Sequence, residues 1–196
     1  MHAATCIRRL AQSLLNHYRQ HNRVNHVVIT GLLHVAIKTP DLAATVAFYT
    51  RVLGLRETAR PDFGYPGSWL AVPTPVGTAV IHIYAGGPAL GPEGKVETGT
   101  AAIDHVSITA VGWDAARARF EQFGLPWREF LIPNTTYWQL FVYDPSGVQL
   151  ELTFDGEAEG IPQPVIPESR RYRPGESFFD RSLYLNFAER ANKCSS

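Results

Sequence analysis

Four side chains in this sequence have the types and the spacing to hold a metal ion: His34, His82, His105 and Glu151. Imidazole nitrogen and carboxylate oxygen are the ordinary ligands of borderline divalent metals. A single His in an apolar strand is more often a satisfied core residue, so the pattern has to carry the reading. His105 follows His34 by 71 residues and Glu151 follows His82 by 69. Within each pair of stretches the separations also agree, 48 residues from His34 to His82 and 46 from His105 to Glu151. Of the seven histidines, the three that fall between Gly31 and Asp155 all occupy these places. A duplication that preserves four ligand-competent positions points to one shared site.

The elements that must position them repeat in the same order. Leu32 to Lys38 (LLHVAIK) reads as a strand carrying His34. Thr39-Pro40-Asp41 then signals a helix start, with a hydroxyl N-cap, Pro in the first turn and an acid on the positive end of the dipole. Leu42, Val46, Tyr49 and Leu53 supply an apolar stripe, and Gly54 stops the helix. Leu55 to Ala59 begins a second strand, and Trp69 to Val72 with Ala79 to Tyr84 forms a hairpin that carries His82. After the Gly- and Pro-rich stretch 86–101 the series begins again. Ala102 to Thr109 is a strand with His105, Trp113 to Phe123 a helix ending at Gly124, and Trp127 to Ile132 a strand. The hairpin 138–154 (WQLFVYDPSGVQLELTF) turns at Asp144-Pro145-Ser146-Gly147. Period-two alternation puts Glu151 on one face with Gln149 and Thr153, opposite Leu150, Leu152 and Phe154. That polar face is either solvated or the lining of a pocket.

The expected fold is therefore α+β, with two tandem βαβββ modules curving into a cup-shaped, partly open β-barrel. Module one spans 31–85, the linker 86–101 and module two 102–155. If the first and last strands of each module face one concavity, pairing the modules gathers all four ligands.

The flanks differ from this frame. Residues 1–30 hold Arg8, Arg9, Arg19 and Arg23 and no acid. Ile7, Leu10, Leu14 and Tyr18 recur at helical spacing. An appended helix or an over-extended start fits this segment better than an organelle-targeting one. His17 and His21 stand one helical turn apart without a third ligand and read as solvated. The tail, 156–196, is acidic and Pro-rich, then basic, and its Phe178, Phe179, Leu183, Tyr184 and Phe187 predict that it docks on the domain.

Composition narrows the function classes. Eighteen basic and eighteen acidic residues cancel, which argues against nucleic acid or an anionic membrane as partner. The 45% hydrophobic content is ample for a core. No apolar run reaches membrane-spanning length. Cys6 and Cys194 lie at opposite ends and form neither a disulfide framework nor a metal set, which fits a reducing, cytoplasmic setting.

Three stretches carry a family resemblance: LLHVAIKTPDLAATVAFYTRVLGL at 32–55, IDHVSI at 103–108 and LFVYDPSGVQLEL at 140–152. The sequence resembles the vicinal oxygen chelate superfamily of glyoxalases, methylmalonyl-CoA epimerases, extradiol dioxygenases and fosfomycin- and bleomycin-resistance proteins. The resemblance covers about 31–155 and implies paired βαβββ modules around one divalent metal ion, Zn, Ni, Fe(II), Mn or Co. By position it carries the family's ligands to His34, His82, His105 and Glu151, with Glu151 also the catalytic base in isomerase-type members. His82 departs from the Glu or Gln usual there. The implied function is a glyoxalase- or epimerase-like lyase or isomerase acting on a small substrate that chelates the metal through adjacent oxygens, in a homodimer.

Two alternatives remain. An extradiol dioxygenase would use His34, His105 and Glu151 to hold Fe(II), but that pattern's upstream His is missing at 132–136 and its Tyr position is Phe141. A resistance-type binding protein would need no ligands at all. Phe63, Tyr65, Trp69, Trp127, Tyr137 and Trp138 neighbour the ligand strands, and one or two of them are expected to touch the ligand.

Overall fold

A computed structural model describes residues 34–74, 77–100 and 103–193. The expected N-terminal helix, His17, His21, Cys6 and Cys194 lie outside the described residues. The first module runs β1 (His34–Lys38), α1 (Leu42–Ala47, continued by a wider π-helical turn Phe48–Val52), β2 (Arg56–Thr58), β3 (Gly67–Thr74) and β4 (Gly77–Tyr84). The second runs β5 (Val106–Thr109), α2 (Trp113–Gln122), β6 (Trp127–Leu131), β7 (Tyr137–Tyr143) and β8 (Gln149–Asp155). Strand order is β1-β4-β3-β2 in one sheet and β5-β8-β7-β6 in the other. This is an α+β fold of two βαβββ modules, a cup-shaped and partly open barrel.

Register reproduces the sequence repeat. β1 pairs in parallel with β4, placing Ala36 opposite His82. β5 pairs in parallel with β8, placing Ser107 opposite Glu151. Equivalent positions of the duplicated sequence thus occupy equivalent positions of the two sheets, and a slip by one residue would turn either set to the wrong face.

Local chemistry moved several boundaries. Thr39 is not the helix cap. Asp41 is, its Oδ1 accepting from the Ala44 N–H at 2.9 Å. Thr39 Oγ1 accepts instead from Asp41 N–H at 3.1 Å and lies 2.7 Å from Thr45 Oγ1. The fully buried face of α1 and its π turn is Ala44, Thr45, Phe48, Tyr49 and Val52; of the expected stripe Tyr49 lies within it, Leu42 and Leu53 pack half-buried against the core, and Val46 is half-buried. The wider turn, with Leu53 N–H on Phe48 O, rotates the stripe. β5 starts at Val106, so His105 precedes its strand instead of lying in it.

One apolar core joins both modules and the tail. Phe187, on the helix α3 (Phe187–Lys193), is 1% exposed and packs on Phe48 and Phe123. Earlier in the tail, Arg171 bridges to Glu129 in parallel and Tyr172 N–H donates to Glu129 O at 2.9 Å. The tail therefore docks, as its aromatic residues predict, and it covers the open edge of β6.

Candidate metal and ligand site

Glu151 is buried, 6% exposed. Ser107 and Thr153 hydroxyls donate to its Oε1 at 2.6 and 2.7 Å. Its Oε2 lies 3.2 Å from His105 Nε2. The other ring nitrogen, His105 Nδ1, is 2.7 Å from Asp104 Oδ1. That bond with His105 is the main reason the Asp104 carboxyl sits below its ordinary range, helped by a hydroxyl bond from Tyr172. An imidazole whose outer nitrogen is held by a carboxylate presents its inner nitrogen in fixed tautomer and orientation, the usual outer support of a metal-binding His. Tyr172 completes this half from the tail. Its ring stacks on Phe141 at 3.7 Å, and its hydroxyl meets Asp104 and Gln149. Burial is the first cause that raises the Tyr172 phenol pKa, with Asp104 adding to it.

The first module's half is aromatic. His34 and His82 rings lie 6.4 Å apart, edge to face. His82 is enclosed by Phe63 at 5.7 Å, Trp69 at 5.6 Å and Tyr84 at 5.5 Å. Burial lowers its pKa, and the charges of Arg60 and His34 lower it further, so the ring is neutral at pH 7 and keeps a lone pair. Its Nε2 is buried without a hydrogen-bond partner among the described residues. A neutral, unpartnered imidazole nitrogen suits a metal ligand, as does the His105–Glu151 pair.

The four predicted ligands thus fall into two pairs. Among the described residues no three His, Cys, Asp or Glu side chains are gathered closely enough to hold a metal, so the convergence expected from the sequence is not seen. A groove of about 300 Å³ between the β1 and β5 edges is lined by His34, Ile81, Val106, Ser107 and Thr109, so a member of the first pair and a neighbour of the second border one space. A cavity of about 380 Å³ on the helix side, between Leu53 and Arg119, touches none of the four.

The aromatic expectation divides by face. Phe63, Tyr65 and Trp69 belong to the cluster around His82. Trp127 and Trp138 point the other way, into the helix-side core, where Trp127 donates to Glu129 Oε1 at 2.8 Å and Trp138 packs on Trp113. Tyr137 is 49% exposed. Sequence reasoning missed Asp104, Ser107 and Tyr172. Ser107 follows from alternation with His105, two residues on. Tyr172 has no such signal, since nothing in the tail's pattern says which aromatic reaches the cup.

Residues 31–152 match the family model described as the Glyoxalase/Bleomycin resistance protein/Dioxygenase superfamily. The chain belongs to this superfamily. Solved structures agree with the fold. A glyoxalase family protein from Bacillus anthracis shares 18% identity over 66% of this chain and 98% of its own, with a TM-score of 0.52. The fosfomycin resistance protein FosX from Listeria monocytogenes shares 18% over 69% of this chain and 100% of its own, at 0.50. Lactoylglutathione lyase from Agrobacterium tumefaciens shares 20% over 69% and 100%, at 0.49. No curated protein matches the chain significantly. No helix among the described residues of this superfamily member is long and apolar enough to cross a membrane.

Proposed function

We propose that this chain is a metal-dependent vicinal oxygen chelate enzyme with lyase or isomerase chemistry on a small oxygen-bearing substrate, working as a cytoplasmic homodimer. The observation that carries the reading is the Asp104–His105–Glu151 array, in which each ligand atom is backed by an outer partner. His34, His82, His105 and Glu151 would hold the ion. A bound divalent metal supplies Lewis acidity toward a developing oxyanion. The chain's own residues handle the proton. Glu151 Oε1 is engaged by Ser107 and Thr153, so Oε2, which faces His105 Nε2 at 3.2 Å, would be the oxygen that serves the ion and, when free of it, takes a proton from carbon beside a carbonyl and returns it. Asp104 keeps His105 from rotating.

One observation favours the dioxygenase alternative. The phenol absent at Phe141 is supplied on that same ring by stacked Tyr172. Metal analysis by mass spectrometry on protein purified without chelators separates the readings. About one ion per chain, lost in both His82→Ala and Glu151→Ala, supports the four-ligand site. Iron that survives His82→Ala but not Glu151→Ala supports the triad. No metal in the wild type after reconstitution would overturn both and leave a binding protein.

A further inference from the structure

Three buried side-chain nitrogens in the first module lack a hydrogen-bond partner among the described residues: Arg60 Nε, Trp69 Nε1 and His82 Nε2. They belong to one cluster. Trp69 and His82 are register partners on β3 and β4 with rings 5.6 Å apart. Phe63 lies 6.1 Å from Trp69 and 5.7 Å from His82, and the Arg60 guanidinium sits 4.8 Å from the centre of that same Phe63 ring.

The arginine is held in place without being neutralised. Its Nη2 donates to Tyr65 O at 3.2 Å, and its plane also lies 5.0 Å from the Tyr65 ring. Gly67 makes room for it, since a Cβ there would come 3.0 Å from Nη2 and 2.5 Å from Ile83 O. No ion pair reaches Arg60 among the described residues. Asp62, two residues on, accepts from Gly64 N–H at 2.8 Å. Buried donors normally find acceptors, and one left alone is costly. A guanidinium stays charged at any working pH, so an anion is the acceptor that suits its free Nε best. Trp69 adds a neutral donor, and the surrounding rings offer flat apolar surface, with Phe63 44% exposed. A single positive charge beside neutral donors suits a monoanion better than a phosphate dianion.

We propose that the first module's concave face is a recognition site for the carboxylate of a small ligand with a flat apolar body, Arg60 and Trp69 donating to the carboxylate and Phe63 packing on the body. This rests on the proposed function in that it names the substrate class of that enzyme, with His82 turned to the metal side.

The test uses phenylacetate as probe and the indole N–H signals of the full-length chain in a proton–nitrogen correlation spectrum, the Trp69 signal being assigned by its loss in Trp69→Phe. Phenylacetate is expected to move the Trp69 signal saturably, and the neutral phenylacetamide to bind at least about tenfold more weakly. Acetate, lacking the flat body, should also bind more weakly than phenylacetate. Arg60→Gln should weaken phenylacetate by about tenfold, the size of one charge-assisted hydrogen bond. Arg60→Lys serves if that variant misfolds, and the acid–amide contrast on the wild type decides if both do. An unmoved Trp69 signal, equal affinity for acid and amide, or binding indifferent to Arg60 would overturn the proposal. Metal content measured on the same samples separates the two readings. Metal without a Trp69 response sinks the carboxylate site alone, and a Trp69 response without metal sinks the metalloenzyme alone.

Discussion

Asp144 begins the turn between β7 and β8 and is wholly buried, at 0% exposure. Burial drives its carboxyl from an ordinary 3.8 up to about 7, against the pull of its hydrogen bonds. Those bonds come from Ser146 and Val148 N–H to Oδ1, both at 2.8 Å, and from the Tyr49 hydroxyl to Oδ2 at 3.1 Å. Tyr49 belongs to the first module, so this carboxyl joins the two. A carboxyl with a raised folded pKa stabilises the fold in its protonated form. The stability is fully present below about pH 4 and is lost as pH rises through about 7. At about 1.4 kcal/mol per pH unit, the loss between about pH 4.5 and 7.5 comes to roughly 3 kcal/mol. Asp144→Asn keeps an oxygen for the two amides and carries no charge, so it should lack this slope. Urea unfolding of both proteins across that range gives the difference directly. His82, whose lowered pKa makes stability rise with pH below 6.5, is common to both and cancels. Asp104 and Asp180, both lowered, act only below about pH 4. A stability difference that stays flat with pH would show that the three hydrogen bonds outweigh burial and hold Asp144 ionised, and would refute the reasoning.

Two further outcomes follow from close contacts. A Cβ at Gly156 would meet the Trp138 indole at 2.2 Å, and Trp138 is itself packed on Trp113. Gly156→Ala should therefore cost about 1–3 kcal/mol in urea unfolding, as overpacking does. Ser107→Ala removes one of the two hydroxyls that orient Glu151. It should weaken Co(II) or Zn binding by about tenfold or more in a metal titration and lower stability in urea unfolding by about 1–2 kcal/mol, since Thr153 still donates to the carboxylate.

Most of the frame was legible because duplication and alternation are backbone-level signals. The 71- and 69-residue intervals survive as the register pairs Ala36–His82 and Ser107–Glu151. Gly54 and Gly124 sit at φ +71° and +64°, where the reading placed the two helix stops. What failed was decided by contacts between distant segments. Phe48, absent from the expected helix stripe, is buried at 0% exposure against Phe187 of the tail. Trp127 faces the helix-side core, where its indole N–H meets the buried Glu129 carboxylate, a partner that the strand's own pattern does not reveal. Tyr172 entered the site through an edge pairing of the tail with β6 that no local pattern announces.

The two halves then diverge in chemistry on one frame. Register makes Trp69 the counterpart of Phe141, each opposite a predicted ligand, His82 or Glu151. It likewise makes Ala36 the counterpart of Ser107. The acid has a hydroxyl beside it and the imidazole a methyl, as their needs differ. A buried carboxylate requires donors to stay oriented, whereas the neutral imidazole packs among rings with its Nε2 left without a partner among the described residues. Tail coverage follows the same division. Tyr172 closes over Phe141, where its hydroxyl helps hold Asp104 in line. The equivalent ring in the first module, Trp69, is flanked instead by Phe63, a loop residue 44% exposed. A substrate approaching this cup would therefore meet a fixed polar wall from one module and an aromatic wall with unused donors from the other, and orientation would be set by the second.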